Sequence, residues 1–490
     1  MKLSRSHPIN IFEKISKYLI LLLFPIVRAL WNVFVTNGGF YTWLLGAWRD
    51  IIIVVIILLL GFYNWWEYRF CFDKDGIYFF KGIIFKQQRY LAYDKITLVS
   101  VEQTWYLRPI KTARLYVDTD SGSTRNYDFT ITVNKDTAPR ILLKFKEYLS
   151  DDAQIKQSYT PTNFYVALFS LVSSSSLTGV LYLAAFVSQA GNVIGNRMEQ
   201  MIVEGVTKLS ARLAFGLPPA AAYLAYLIML FWFIDFVAKL LRHLKFKVYR
   251  KGNNLSVNTG VITRRTFSIN TQMINYVTLR QSLITRALGF TSAFVHCTGY
   301  GKDRKELSVI LPTGEQDNII SNLNILLPEI PVLKMKLKPK KRAFFRFMWP
   351  PLAVIGVILA ARFTLGIFFT SIPSILNLMA FGLCIPVVWW LFVKVYGFFF
   401  SGISVDDKVL TLKHTKGFRI LTVSIPKEKI VDIRLRQTVL QVRSRGVDVC
   451  VYPYGEGRHS RQVVMGLDID EVLELFNSHD GGYVSGDNKI

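Results

Sequence analysis

Arginine and glutamine recur together in this chain at a spacing that could recognise an anion. Arg280, Gln281 and Arg286 lie in RQSLITR, and Arg436, Gln437 and Arg443 lie in RQTVLQVR. A guanidinium presents a planar array of donors that matches phosphate or carboxylate, so these six residues form the candidate polar or anionic contact. Basic residues at a strand end also protect a solvated sheet edge from mispairing, and both readings stand. A third stretch, VEQTWYLR, carries Gln103 and Arg108, but Glu102 beside them weakens any attraction for an anion.

Other chemistry is sparse. The sequence holds no G-x-x-x-x-G-K-[ST], H-E-x-x-H or G-x-S-x-G, the spacings that cradle phosphate, bind zinc or expose a nucleophilic serine. His7, His243, His296, His414, His459 and His479 are isolated from one another, and Cys71, Cys297, Cys384 and Cys450 form no C-x-x-C pair. Asp468, Asp470 and Glu471 look like a cation cluster, but helix capping explains them better. No catalytic residue, metal or cofactor is assigned, and an enzyme is not expected.

The glutamines mark a threefold repeat. Counting from Gln103, Gln281 and Gln437, an isoleucine stands seven residues earlier (Ile96, Ile274, Ile430) and a valine fourteen later (Val117, Val295, Val451). An arginine follows at plus five in the first two copies and at plus six, with Gly446 at plus nine, in the third. Alternation such as Val447, Val449 and Val451 against Asp448, Cys450 and Tyr452 predicts half-buried strands. Each copy then closes with an amphipathic helix: Ile141, Leu142, Phe145 and Leu149; Ile319, Ile320, Leu323 and Leu327; Ile469, Val472, Leu473 and Phe476. Strands closed by one helix outline a pleckstrin-homology-like (PH-like) barrel.

What positions these modules is a set of apolar runs. The 490 residues are 51% hydrophobic and only 19% charged, with 59 Lys+Arg against 34 Asp+Glu, a formal charge of +25. Such a basic excess would suggest nucleic acid in a soluble chain, but the apolar runs point to lipid instead. Six runs meet the length of a bilayer span: 18–35, 49–66, 164–187, 213–241, 347–369 and 375–396. The expected fold class is therefore membrane α plus β, with six transmembrane helices in three pairs, each followed by a small antiparallel PH-like β-module closed by a C-terminal helix. The expected divisions are transmembrane pairs at 1–66, 156–242 and 336–396 and modules at 67–155, 243–335 and 397–490. Loops within the pairs hold only four basic residues, Arg49, Arg197, Lys208 and Arg212, so the modules and both termini are expected in the cytoplasm. Arg28, Asp235 and Arg362 are intramembrane ionisable residues, costly unless paired or snorkelling, and an Arg28 to Asp235 pair is open. Basic runs at 81–89, 334–346 and 413–419 are suited to anionic headgroups of membrane phospholipids.

The order of helix pair, strand-rich module and closing helix, with Ile-x6-Gln and a following Arg and Gly, resembles the bacterial PH-like family once catalogued as a domain of unknown function. The threefold form resembles its YdbT-like membrane proteins, as does the opening SRSHPINIFEKI, and RQSLITRALGF is the copy nearest the family pattern. The resemblance implies a bacterial plasma-membrane location and a non-enzymatic role in cell-envelope maintenance, including tolerance of membrane-active peptides, with a smaller one-module companion as protein partner. The expected function is a polytopic scaffold displaying three binding modules; a transporter or lipid-moving protein regulated by the modules is the alternative. Homo-oligomerisation is left open, and no nucleic-acid partner is expected.

Overall fold

A computed structural model describes residues 4–11, 15, 40–82, 86–119, 127–134, 155–173, 219–297, 308–368, 373–454 and 461–479. Its strands group into a front and a back half in each of three copies. In the first, β2 (Arg69–Phe72), β3 (Gly76–Lys81) and β4 (Gln87–Ala92) form the front, and β5 (Ile96–Gln103), β6 (Thr112–Thr119) and β7 (Phe129–Asn134) the back. The second has β9 (Lys247–Lys251), β10 (Asn254–Thr259) and β11 (Arg264–Asn270), then β12 (Ile274–Gln281), β13 (Phe290–Cys297) and β14 (Val309–Glu315). The third has β15 (Gly402–Val405), β16 (Val409–Lys416) and β17 (Arg419–Pro426), then β18 (Ile430–Arg436), β19 (Gly446–Pro453) and β20 (Gln462–Asp468). Two further strands precede front halves: β1 (Ser4–Arg5) pairs with β2, and β8 (Ile155–Tyr159) with β9.

The repeated residues have repeated structural jobs. A single 3-10 turn (Tyr93–Lys95, Thr271–Met273, Lys427–Lys429) joins front to back, and the isoleucine opens the back strand. A register shift follows at the same place in each copy, between Ile96 and Leu98, Ile274 and Tyr276, and Ile430 and Asp432. Val117, Val295 and Val451 are fully buried, paired with Val99, Val277 and Ile433. The glutamine ties the chain reversal: its side-chain amide donates to the carbonyl nine residues on, Gln103 to Thr112 at 3.3 Å, Gln281 to Phe290 at 3.0 Å and Gln437 to Gly446 at 2.8 Å. One residue before that carbonyl the backbone is left-handed, at Lys111, Gly289 and Arg445, with φ of 53°, 76° and 52°. The third copy therefore keeps the common register; Arg445, not Gly446, occupies the glycine position.

The copies are not separate small sheets, which corrects the expected fold. β11 pairs with β5, joining copies one and two in a seven-stranded sheet, and β17 pairs with β12, joining copies two and three in a six-stranded sheet. Both junctions have one register: Arg264, seven residues before its 3-10 turn, faces Gln103, and Ile420, seven before the next, faces Gln281. Three cores result, and the middle one takes Leu98 from β5 as well as residues of β9 to β14. Helix α5 (Gln316–Leu326) buries Ile319 and Leu323 in that core, with Leu327 just past its end, and α9 (Ile469–His479) buries Val472 and Phe476 in the third. The first closing helix expected at Ile141 to Leu149 lies outside the described residues.

The expectation of six spans in three pairs is also overturned. Among the described residues one helix, 341–368, whose most apolar 18-residue stretch has a mean hydropathy of 2.0, is long and apolar enough to cross a membrane. It comprises a 3-10 turn (Lys341–Ala343) and α6 (Phe344–Phe368), and it packs along α7 (Pro373–Phe400). The apolar stretches Ile52–Glu67 in α1 (Phe40–Glu67), Asn163–Ser173 (α2) and Pro386–Phe400 in α7 fall in the range 10–17 residues, short of the roughly 20 that a span needs. Helix α3 (Pro219–His243) carries Asp235, Lys239 and Arg242 in its second half, which shortens its apolar run. Run 18–35 and most of 164–187 lie outside the described residues.

Candidate functional site

The arginines proposed from sequence do not converge on one open fork. In the second copy they are spent inside the protein. Arg280 lies 4.0 Å over the Phe294 ring and its Nη2 donates to His296 Nε2 at 3.1 Å. Because a guanidinium can only donate, His296 is the neutral tautomer with its proton on Nδ1. Burial, then the neighbouring Arg280 and Lys416, pushes His296 down to about 3, and burial with nearby Arg419 lowers Arg280 to about 10. Gln281 is buried in its turn. Arg286, in α4 (Leu283–Ala287), donates from Nε to Tyr396 Oη at 3.0 Å and from Nη1 to Gln316 Oε1, and sits 5.5 Å over Phe400. Lys413 lies 5.5 Å over the same ring, and burial, then Arg286, lowers it to about 8. Arg286 thus fastens the second copy to the end of α7, which leads into the third.

Arg108 does the same job one repeat earlier, donating to the carbonyls of Val261 and Ile262, the latter at 2.7 Å. Glu102, read from sequence as a detractor, pairs with Arg265 across the β5 to β11 seam at 3.3 Å. Sequence reasoning missed both joints; the signal available was the arginine pair in RRTF at the start of β11. Among the described residues no front strand of a further copy pairs with the third. Arg436, Gln437 and Arg443 are exposed there, and in α8 (Val439–Arg443), aligned on α4, Val442 takes the place of Arg286.

A cavity of about 810 Å³ opens where α6 meets the third copy, lined by Ala343, Phe345, Trp349, Pro350, Met465 and Leu467 with Lys340, Arg342, Arg346 and Arg445 around them. Ion pairs build its walls. Lys340 reaches Asp468 at 2.5 Å and Glu471 at 3.3 Å, and its contact holds the Asp468 carboxyl below the usual range. Arg346 pairs with the buried Asp448, which also accepts from Gln441 Nε2 at 2.8 Å and the Gly466 amide at 3.0 Å. Arg445 pairs with Asp470 at 3.0 Å. Asp468 also caps α9 by accepting from the Asp470 amide at 3.0 Å. Two cations of the basic run 334–346 are therefore anchors, whereas Lys334, Lys336, Lys338, Lys341 and Arg342 are exposed. Exposed Trp349, with exposed Phe345 one turn before it, stands at the start of the apolar helix, where an amphipathic indole favours a membrane interface. An apolar cavity with a charged rim can take the apolar part of an amphiphile.

Of the other ionisable residues, Asp235 pairs with Lys239 at 2.9 Å, one turn along α3, and Arg362 donates from Nε to Asn377 Oδ1 of α7 at 2.8 Å. Arg28 lies outside the described residues. Among those residues no group of His, Cys, Asp and Glu is placed to hold a metal ion.

Two regions, 18–149 and 205–311, match the model of the bacterial PH domain. The chain contains bacterial PH domains and is YdbT-like. It is 18% identical over 375 residues to the UPF0699 transmembrane protein YdbT of Bacillus subtilis (strain 168), covering 70% of this chain and 73% of that one. No solved structure matches.

Proposed function

We propose that this chain is a membrane-associated, non-catalytic scaffold whose PH-like modules form one body at the surface of a bacterial plasma membrane, serving cell-envelope maintenance and tolerance of membrane-active peptides. The observation that carries this reading is the welding of successive modules: shared sheets plus Arg108 and Arg286 hold them as a unit, and ion pairs of Lys340 and Arg346 fix that unit to the foot of a long apolar helix. A rigid array suits display and docking more than the opening and closing of a path. The name of the Bacillus relative supports a membrane location. The exposed lysines of 334–346 face the anionic leaflet, each worth about 1 kcal/mol near its surface. The modules are cytoplasmic in this reading, and a one-module companion is a partner.

The test has two arms. Full-length protein in nanodiscs should retain more phosphatidylglycerol, by native mass spectrometry, than a variant with Lys334, Lys336, Lys338, Lys341 and Arg342 changed to Gln. Cells lacking the protein should become more sensitive to cationic membrane-active peptides. Unchanged lipid retention together with unchanged sensitivity contradicts the reading. The lipid-moving alternative draws on the 810 Å³ cavity, and predicts instead that filling it with Ala343→Trp abolishes function.

A further inference from the structure

Among the described residues the interlocking leaves one leading back strand uncovered. In the first two copies the leading back strand is covered on its outer side by a front strand of the next copy, β5 by β11 and β12 by β17. Among the described residues the equivalent third strand, β18, pairs on one side only, with β19, and is the edge of a three-stranded sheet. Val431, beside its bulge, is 65% exposed, and Val439 and Val442 just beyond it are exposed as well. A bare edge of this kind is a template for another strand.

We propose that β18 pairs antiparallel with β18 of a second copy of this chain, about a two-fold axis at Ile433, making one continuous six-stranded sheet. The strand reads Ile430-Val-Asp-Ile-Arg-Leu-Arg436, and it is complementary to itself in this register. Ile433 faces Ile433, Asp432 faces Arg434 twice, and Val431 faces Leu435 twice. Opposite charges directly across a strand pair attract, and like charges repel. Asp432 and Arg434 already pair within the strand, so both are correctly placed on its outer face. Moving the axis to Arg434 or Leu435 sets arginine against arginine.

The same rule disfavours head-to-tail growth through β4, a front strand that no back strand covers among the described residues. In the register of the two internal junctions, residue 86 would face Gln437, and Arg89 would then face Arg434. A two-fold closed dimer is the expected assembly, since an isologous contact uses the same patch twice and ends there. The inference stands apart from what the modules bind.

The experiment measures the mass of the full chain in nanodiscs or mild detergent. Wild type should be a dimer. Arg434→Asp, which sets acid against acid, should give monomer with unchanged circular dichroism, and adding Asp432→Arg should restore the dimer. Ile433→Cys in the otherwise wild-type chain should form an interchain disulfide on oxidation, because directly opposed antiparallel residues lie about 4.5–5.5 Å apart between Cα atoms. A monomeric wild type, or a dimer that ignores Arg434→Asp and yields no cross-link from Ile433→Cys, overturns the proposal.

Discussion

The eighth position after each repeated glutamine demands left-handed backbone, and only the second copy supplies glycine there. Lys111 and Arg445 adopt φ of 53° and 52° against the clash of their own Cβ, a conformation that costs about 1–2 kcal/mol outside glycine. Lys111→Gly should therefore raise the stability of the first copy by about 1 kcal/mol, less the added entropy of the unfolded glycine, as read by thermal unfolding; a loss would mean that the lysine side chain has a role in the turn. A second residue-scale consequence concerns acid. His296 is half-buried beside Arg280 and held near 3, whereas an unfolded histidine titrates near 6.5. Below pH 6.5 the unfolded chain takes up a proton that the folded one refuses, so stability falls as pH drops from about 6.5 towards 3. The loss at pH 5 is about 2 kcal/mol from this one group. His296→Gln should show a smaller drop in melting temperature between pH 7.5 and 5.0 than wild type; an equal drop would place the acid sensitivity elsewhere, for example at His414, also held near 3.

At the scale of elements, the arginine after the turn in the first two copies, Arg108 and Arg286, is a fastener between copies rather than a ligand fork. Arg108→Ala should speed hydrogen exchange in the 261–262 loop and β11, and Arg286→Ala should do so at the end of α7, each leaving the distant junction unchanged. Faster exchange across both junctions from either substitution would mean global destabilisation instead. Much of the strand order was legible in advance, because Ile96, Val117 and their counterparts must alternate with solvent-facing residues to fill a core. The glutamine was legible as a marker but misread as a contact, since donation to a carbonyl nine residues away is invisible to spacing alone. The pairing of β5 with β11 left no trace beyond charge, Glu102 in one strand and Arg265 in the other, because which edges meet is decided by tertiary packing. Helix count failed for a different reason: apolar composition marks a run as buried from water, and does not say whether lipid or protein buries it.

For the whole molecule, the shared sheets make three copies behave as one body from β2 to α9, with the cavity and the candidate membrane helix fixed to its last part. The most direct measurement of that claim is a disulfide across the first seam. Val101 of β5 and Thr266 of β11 are directly paired and accessible. Val101→Cys with Thr266→Cys should cross-link on mild oxidation of the full-length protein in membranes, identified as a linked peptide by mass spectrometry, as efficiently as Lys247→Cys with Asn258→Cys inside one front sheet. Cross-linking of the internal pair without any across the seam would mean that the copies are separate modules, and would contradict the account.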